Sequence, residues 1–155
     1  MAKIYIASSW RNGVQPMLVD ALRKLGHEVY DFRHPKGRND TVVWDAVTPQ
    51  LSLEKKYKQG LLSPADFDNM LQDPVARMRF REHYEGMLTS DICVLLLPCG
   101  RSGHVEAGFM AGLGKKVFVY DVSEIAQPEL MYLCFNGYYY NISDLTAGIA
   151  TSLSV

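Results

Sequence analysis

The sequence predicts an α/β sandwich around a mainly parallel sheet. Short β-rich runs ("KIYIASS", "HEVYDF", "ICVLLL", "KVFVY") alternate with stretches whose apolar residues recur at helical spacing. The run "ICVLLL" is apolar at every position, as expected of a central strand covered on both faces. Gly or Ser and Pro mark most of the passages between elements, so the units read as strand, crossover helix, parallel strand.

"KIYIASS" is the first strand, ending in small polar residues. From Asn12 to Leu25 the residues Val14, Met17, Leu18, Ala21, Leu22 and Leu25 recur at helical spacing, and Gly26 supplies a stop. "HEVYDF" resumes an extended pattern directly afterwards. Residues 33–63 break the alternation: "RHPKGRND" reads as a loop, and Trp44, Pro49 and the lysines of 55–58 build no sustained strand. This irregular insertion is either a surface excursion or the wall and lid of a binding site, and Trp44 serves equally as a pin to the core or as a ligand wall.

Ser63–Pro64 and Asp73–Pro74 each place a capping side chain before a first-turn proline, so two helices follow one another. A helix over 103–113 separates "ICVLLL" from "KVFVY". "PELMYLCF" reads as helical, "YYYN" as a last edge strand and "SDLTAGIATSL" as a terminal helix. Residues 1–155 form one domain on this reading, with the insertion inside it.

Composition narrows the function classes. The 155 residues are 48% hydrophobic, enough for one well-buried core. Sixteen Lys plus Arg against 17 Asp plus Glu leave a formal charge of −1, so no basic field points to a nucleic acid polymer. Cys93, Cys99 and Cys134 show neither a CxxC nor a Cys/His ligand spacing, which argues against a zinc site or a disulfide framework and places the chain in a reducing cytoplasm. "MAKIYIASSW" lacks the apolar core of a signal peptide, and no membrane span is expected.

In a parallel sheet, ligands collect beyond the carboxyl ends of the strands. Two loops qualify: "ASSW" with Ser8, Ser9 and Trp10, and "PCGRSGH" with Gly100, Arg101, Ser102, Gly103 and His104. In the second loop Gly100 and Gly103 allow a tight turn, Ser102 or Gly103 is placed to cap the next helix, and Arg101 offers a forked donor suited to phosphate. Glu106 is expected in the first turn of that helix, where the macrodipole favours its charged form. It is then either a carboxylate nucleophile or a surface acid that complements the dipole. The loop is neither a Walker A motif nor a dinucleotide fingerprint. Gly108, Gly112 and Gly114 read as helix packing and a stop, Cys99 as structural rather than nucleophilic, and His104 as a first-turn histidine.

With "KIYIAS" and "SDICVLLLPCGRSGHVEAGFMAGLGKKVFVY" at this separation, the chain resembles the nucleoside 2-deoxyribosyltransferase family, including its 2'-deoxynucleoside 5'-monophosphate N-glycosidases. The likeness covers the first strand and roughly 80–120. It implies a flavodoxin-like, three-layer α/β sandwich and a retaining mechanism in which Glu106 attacks the anomeric carbon. By the same resemblance Tyr5 hydrogen-bonds that carboxylate, and His83 stands nearest the position of a family aspartate concerned with the base. Where relatives acting on free nucleosides carry an acid, this chain has Gly100 followed by Arg101, which favours a 5'-phosphorylated substrate. Asp91 matches the family's acid before the central strand and reads as structural.

The expected activity is cleavage or transfer of the N-glycosidic bond of a nucleoside or nucleoside 5'-monophosphate. The alternatives are hydrolysis of a nicotinamide dinucleotide, or nucleotide binding without catalysis. No metal or organic cofactor is implied, the partner is a small nucleoside or nucleotide, and the resemblance suggests a homo-oligomer.

Overall fold

The computed structural model describes residues 1–34, 55–125 and 129–154. Trp44 and most of the insertion expected at 33–63 therefore lie outside the described residues. By their contacts the described residues divide into two units, one of Met1–Asp31 with Gly86–Val155, the other of Phe32–Glu85.

The first unit holds the sheet. Strands β1 (Lys3–Ala7), β2 (Glu28–Tyr30), β3 (Ile92–Leu97), β4 (Lys116–Asp121) and β5 (Gly137–Tyr139) run in the order β2-β1-β3-β4-β5. Every pairing is parallel, so the expected "mainly parallel" sheet is wholly so. The strand order is that of flavodoxin-like folds, whose topological switch point lies between β1 and β3.

Side chains alternate across this sheet with the two-residue period of a strand, and both faces are covered. Ile4, Ile6, Ile92, Val94, Leu96 and Phe118 pack with Leu18, Leu22, Leu145 and Ile149 from helices α1 (Gln15–Lys24) and α5 (Ile142–Ser152). On the other face Tyr5, Cys93, Leu95, Val117 and Val119 pack with Met87, from the end of α3 (Pro74–Thr89), and with Ala107 and Met110 of α4 (Arg101–Gly112). The three-layer sandwich is thus helix, sheet, helix.

Local sequence explains most boundaries. α1 is shorter than its periodicity suggested: Asn12 accepts from the Val14 amide at 3.0 Å, forming a turn before the helix, and Met17 and Leu25 face solvent. Gly26 at φ +85° and Gly114 at φ +75° take the left-handed conformation that stops α1 and α4. Asp91 is structural as expected, exchanging backbone and side-chain bonds with Lys3 (2.7 and 2.8 Å) at the start of β1. Residues 130–134 form a 3-10 turn rather than an α-helix, Leu130–Cys134. Asn141 caps α5 through the Asp144 amide at 2.9 Å.

The second unit is helical. Ser63 and Asp66 form a capping box at the start of α2 (Pro64–Gln72), and Lys56 pairs with Asp66 at 2.5 Å. Asp73 accepts from the amides of Val75 and Ala76 at 2.8 and 3.0 Å, opening α3 as its Asp-Pro signature predicts. Within this unit Arg79 and Glu82 form a buried ion pair at 2.9 Å, and α2 has no buried residue. Among the described residues no helix is long and apolar enough to cross a membrane.

Candidate active site

The carboxyl ends of β1 and β3 diverge at the switch point, and both expected loops leave the sheet there. Tyr5 lies on β1 with its side chain on the α4 face, fully buried. Its hydroxyl donates to the Glu106 carboxylate, and burial first, then the charge of Glu106, pushes its pKa well above the usual tyrosine range. Tyr5 is therefore held in its protonated, donating form. Its ring stacks on Tyr30 of β2, with centroids 5.1 Å apart and planes 8° from parallel.

Glu106 is half-buried. Besides Tyr5, its charge acts on two thiols: Cys93, fully buried on β3, and Cys99, half-buried in the loop after it. Burial and then the Glu106 carboxylate raise both, Cys99 to about 12. Cys99 is thus held as a neutral thiol, which agrees with a structural and not a nucleophilic role.

Three expectations about α4 are corrected. The helix begins at Arg101, and its N-cap is Gly100, which has no side chain to cap with; neither Ser102 nor Gly103 is the cap. Glu106 consequently sits in the second turn, not the first, farther from the positive end of the helix than the sequence suggested. Gly103 is buried inside the helix, where an added Cβ would meet Cys99 Sγ at 2.8 Å, whereas the same atom at Gly108 or Gly112 would meet nothing within 4 Å. Close packing therefore explains Gly103 and not the other two.

The remaining expected residues divide. Ser8 donates its hydroxyl to Leu96 O at 3.0 Å, tying β1 to β3, and Ser9 Oγ accepts from the Arg11 amide at 3.2 Å. Trp10 is half-buried in the same loop, while Gly100, Arg101 and Ser102 are exposed at the start of α4. Both His104 nitrogens meet protein groups: Nδ1 lies 3.1 Å from Gly100 O and Nε2 lies 2.8 Å from the Tyr132 hydroxyl. His83 belongs to the second unit, where its ring lies 6.3 Å from Phe32. Among the described residues no group of three His, Cys, Asp or Glu side chains is placed to hold a metal ion.

Several participants escaped sequence reasoning. Asn12, 5% exposed, donates to Pro98 O at 3.2 Å and so joins the β1 loop to the β3 loop. Tyr132 meets His104, and Tyr138 donates to Asp121 at the end of β4. Burial opposes the charge of Asp121, but hydrogen bonds from Ser123 and Tyr138 outweigh it and hold the carboxyl below its ordinary range. The aromatic density of "YLCFNGYYY" was the only signal for this cluster. A groove of about 380 Å³ lined by Lys116, Phe118, Asn136 and Tyr139 lies on the α5 side of the sheet, the face opposite Glu106.

No family profile and no curated protein sequence matches the chain. Among solved structures it is similar to a 2-deoxyribosyltransferase of Bacillus psychrosaccharolyticus, at 20% identity and a TM-score of 0.59, over 93% of this chain and 90% of that one. It is also similar to the CMP N-glycosidase of Clostridium botulinum (13% identity, TM-score 0.49, 99% of each chain). The response regulator TrrA of Thermotoga maritima stands at the same TM-score of 0.49, with 14% identity over 97% of this chain and 98% of that one. The first of these likenesses places the chain in the flavodoxin-like α/β fold found in a nucleoside transferase.

Proposed function

We propose that this protein cleaves or transfers the N-glycosidic bond of a 2'-deoxynucleoside 5'-monophosphate or its nucleoside, with Glu106 as nucleophile. The observation that carries the reading is the hydrogen bond from buried Tyr5 to a half-buried carboxylate beside the switch point of a parallel sheet. A carboxylate that only complemented a helix dipole would need neither the second turn nor a buried tyrosine partner.

The chemistry follows from a fixed carboxylate. A Glu106 oxygen attacks C1' of the sugar, the C1'–N bond breaks, and its electron pair leaves with the base, which takes a proton from solvent. Water or a second base then attacks C1' and loses a proton to solvent, the glycosyl ester bond breaks, and the carboxylate is restored. Tyr5 orients the attacking oxygens and never supplies a competing anion. Gly100, Arg101 and Ser102, at the positive end of α4, are the groups assigned to the 5' end of the substrate.

The test screens nucleosides and their 5'-monophosphates for free base, with and without an acceptor base. Base release that disappears in Glu106→Gln, by at least about a thousandfold, together with a glycosyl adduct on Glu106 in the mass spectrum, supports the reading. Tyr5→Phe is expected to lower kcat by about 10- to 100-fold, the worth of one hydrogen bond to a charged group. Nicotinamide release from a dinucleotide without deoxynucleotide turnover, or tight binding of intact nucleotide, would replace it by a glycohydrolase or a sensor respectively.

A further inference from the structure

We propose that Tyr132 is a positioning residue that acts through His104 on the first turn of α4, and so sets the affinity for the 5' end of the substrate. The inference rests on the glycosidic reading above and adds to it a residue outside both strand-end loops.

The His104 ring fixes its own protonation pattern. Nδ1 faces the Gly100 carbonyl oxygen at 3.1 Å, and a carbonyl only accepts, so Nδ1 carries the proton. In the neutral ring Nε2 is then an acceptor, and the Tyr132 hydroxyl, 2.8 Å away, donates to it. The two rings lie 12° from parallel with centroids 6.0 Å apart. Cys99 Sγ, 3.5 Å from the same Nδ1, closes the pocket around it.

Through His104 this bond reaches the N-cap residue of α4. Gly100 is the N-cap of α4 and has no side chain to cap with, so the imidazole of His104 on its carbonyl, itself held by Tyr132, braces the turn that leads into Arg101 and Ser102. Tyr132 supplies it from a braced position: its ring lies 5.7 Å from Phe135 and 5.8 Å from Tyr138, and Tyr138 donates to buried Asp121. Two tethers thus meet α4 at different points. Tyr5 holds Glu106, where the bond is broken; Tyr132 and His104 hold Gly100, beside the residues assigned to the 5' end.

The separation is testable because the two tethers predict different kinetic losses. In the Glu106→Gln background, which stops turnover, the four 2'-deoxynucleoside 5'-monophosphates and their nucleosides are titrated by calorimetry with and without Tyr132→Phe, a variant that keeps the stacked ring. The expected result is weaker binding of the preferred monophosphate by about three- to tenfold, with the nucleoside changed by less than about twofold. In the active protein the same substitution raises KM over that range and leaves kcat within about twofold, whereas Tyr5→Phe does the reverse. Unchanged affinity, equal weakening of nucleoside and nucleotide, or no binding of any monophosphate overturns the proposal. Nitrogen-15 NMR of wild-type imidazoles gives an independent check, and a His104 protonated on Nε2 alone would overturn it without any variant. If Tyr132→Phe discriminates as expected but the wild type releases no base, the glycosidic reading falls and the positioning role stands.

Discussion

Cys99 is a reporter on the charge of Glu106. With its thiol at about 12, only about one part in ten thousand is thiolate at pH 8. Iodoacetamide is therefore expected to label exposed Cys134 first and Cys99 slowly. Glu106→Gln removes one of the two causes that raise Cys99, so its labelling should accelerate; an unchanged rate, read by peptide mass spectrometry, would mean that no carboxylate charge stands beside the sulfur. Asp121 offers a second titration. Its folded pKa lies below its ordinary value, so the stability it contributes is present above about pH 4, the unfolded value, and is lost as the pH falls through the folded one. Tyr138→Phe deletes one of its donors and should cost about 1.5–3 kcal/mol at pH 7. Urea midpoints measured between pH 2.5 and 7 should show the variant losing less on acidification than the wild type. At this scale the placement of the two strand-end loops was legible, because their sequence neighbours are strands and turns, whereas the bond between Tyr5 and Glu106 entered only through a resemblance. Tyr132 and Asn12 were not, since each reaches its partner across a long stretch of chain and carries no local signature.

Among the elements, α3 shows how packing decides what propensity leaves open. Nothing in its helical pattern distinguishes Gly86, yet a Cβ there would meet the Tyr30 ring at 2.9 Å, and that ring stacks on Tyr5. Helix propensity alone favours alanine over glycine by about 1 kcal/mol. Packing reverses the sign: Gly86→Ala is expected to destabilise by about 1–3 kcal/mol in urea unfolding, because the half-buried Tyr30 ring cannot yield without disturbing its stack on buried Tyr5. A stabilised variant would show that Tyr30 moves freely. The far end of α3 is fastened separately, Lys115 Nζ donating to the carbonyls of Met87, Leu88 and Ser90 at 2.8, 2.5 and 2.5 Å. Element boundaries were legible wherever a cap or stop has one reading, as at Ser63–Pro64, Asp73–Pro74 and Gly26. The start of α4 was misplaced because "GRSG" contains three residues able to cap, and the bond from distant Tyr132 to the histidine that meets the first of them is invisible in sequence.

For the whole molecule, the parallel sandwich was legible because both-sided burial leaves a mark in composition: all six residues of β3 are buried and all are apolar. The order of the strands was not, since it depends on which edges meet, and it entered only through a resemblance. The two units also differ in how deeply they bury their chains. Hydrogen exchange should therefore be uneven, with amides of α2, which has no buried residue, exchanging about two orders of magnitude or more faster than those of β1 and β3. Equal protection, followed by mass spectrometry, would reveal that α2 is covered in an assembly of chains.

The contact between Gly103 and Cys99 restricts how this site can evolve. The sulfur occupies the space a methyl group at 103 would need, so the two positions must change together: any descendant that gains a side chain at 103 must first shrink residue 99. Such a double replacement would also discard the thiol against which His104 rests, leaving the imidazole to be held by tyrosine and carbonyl alone.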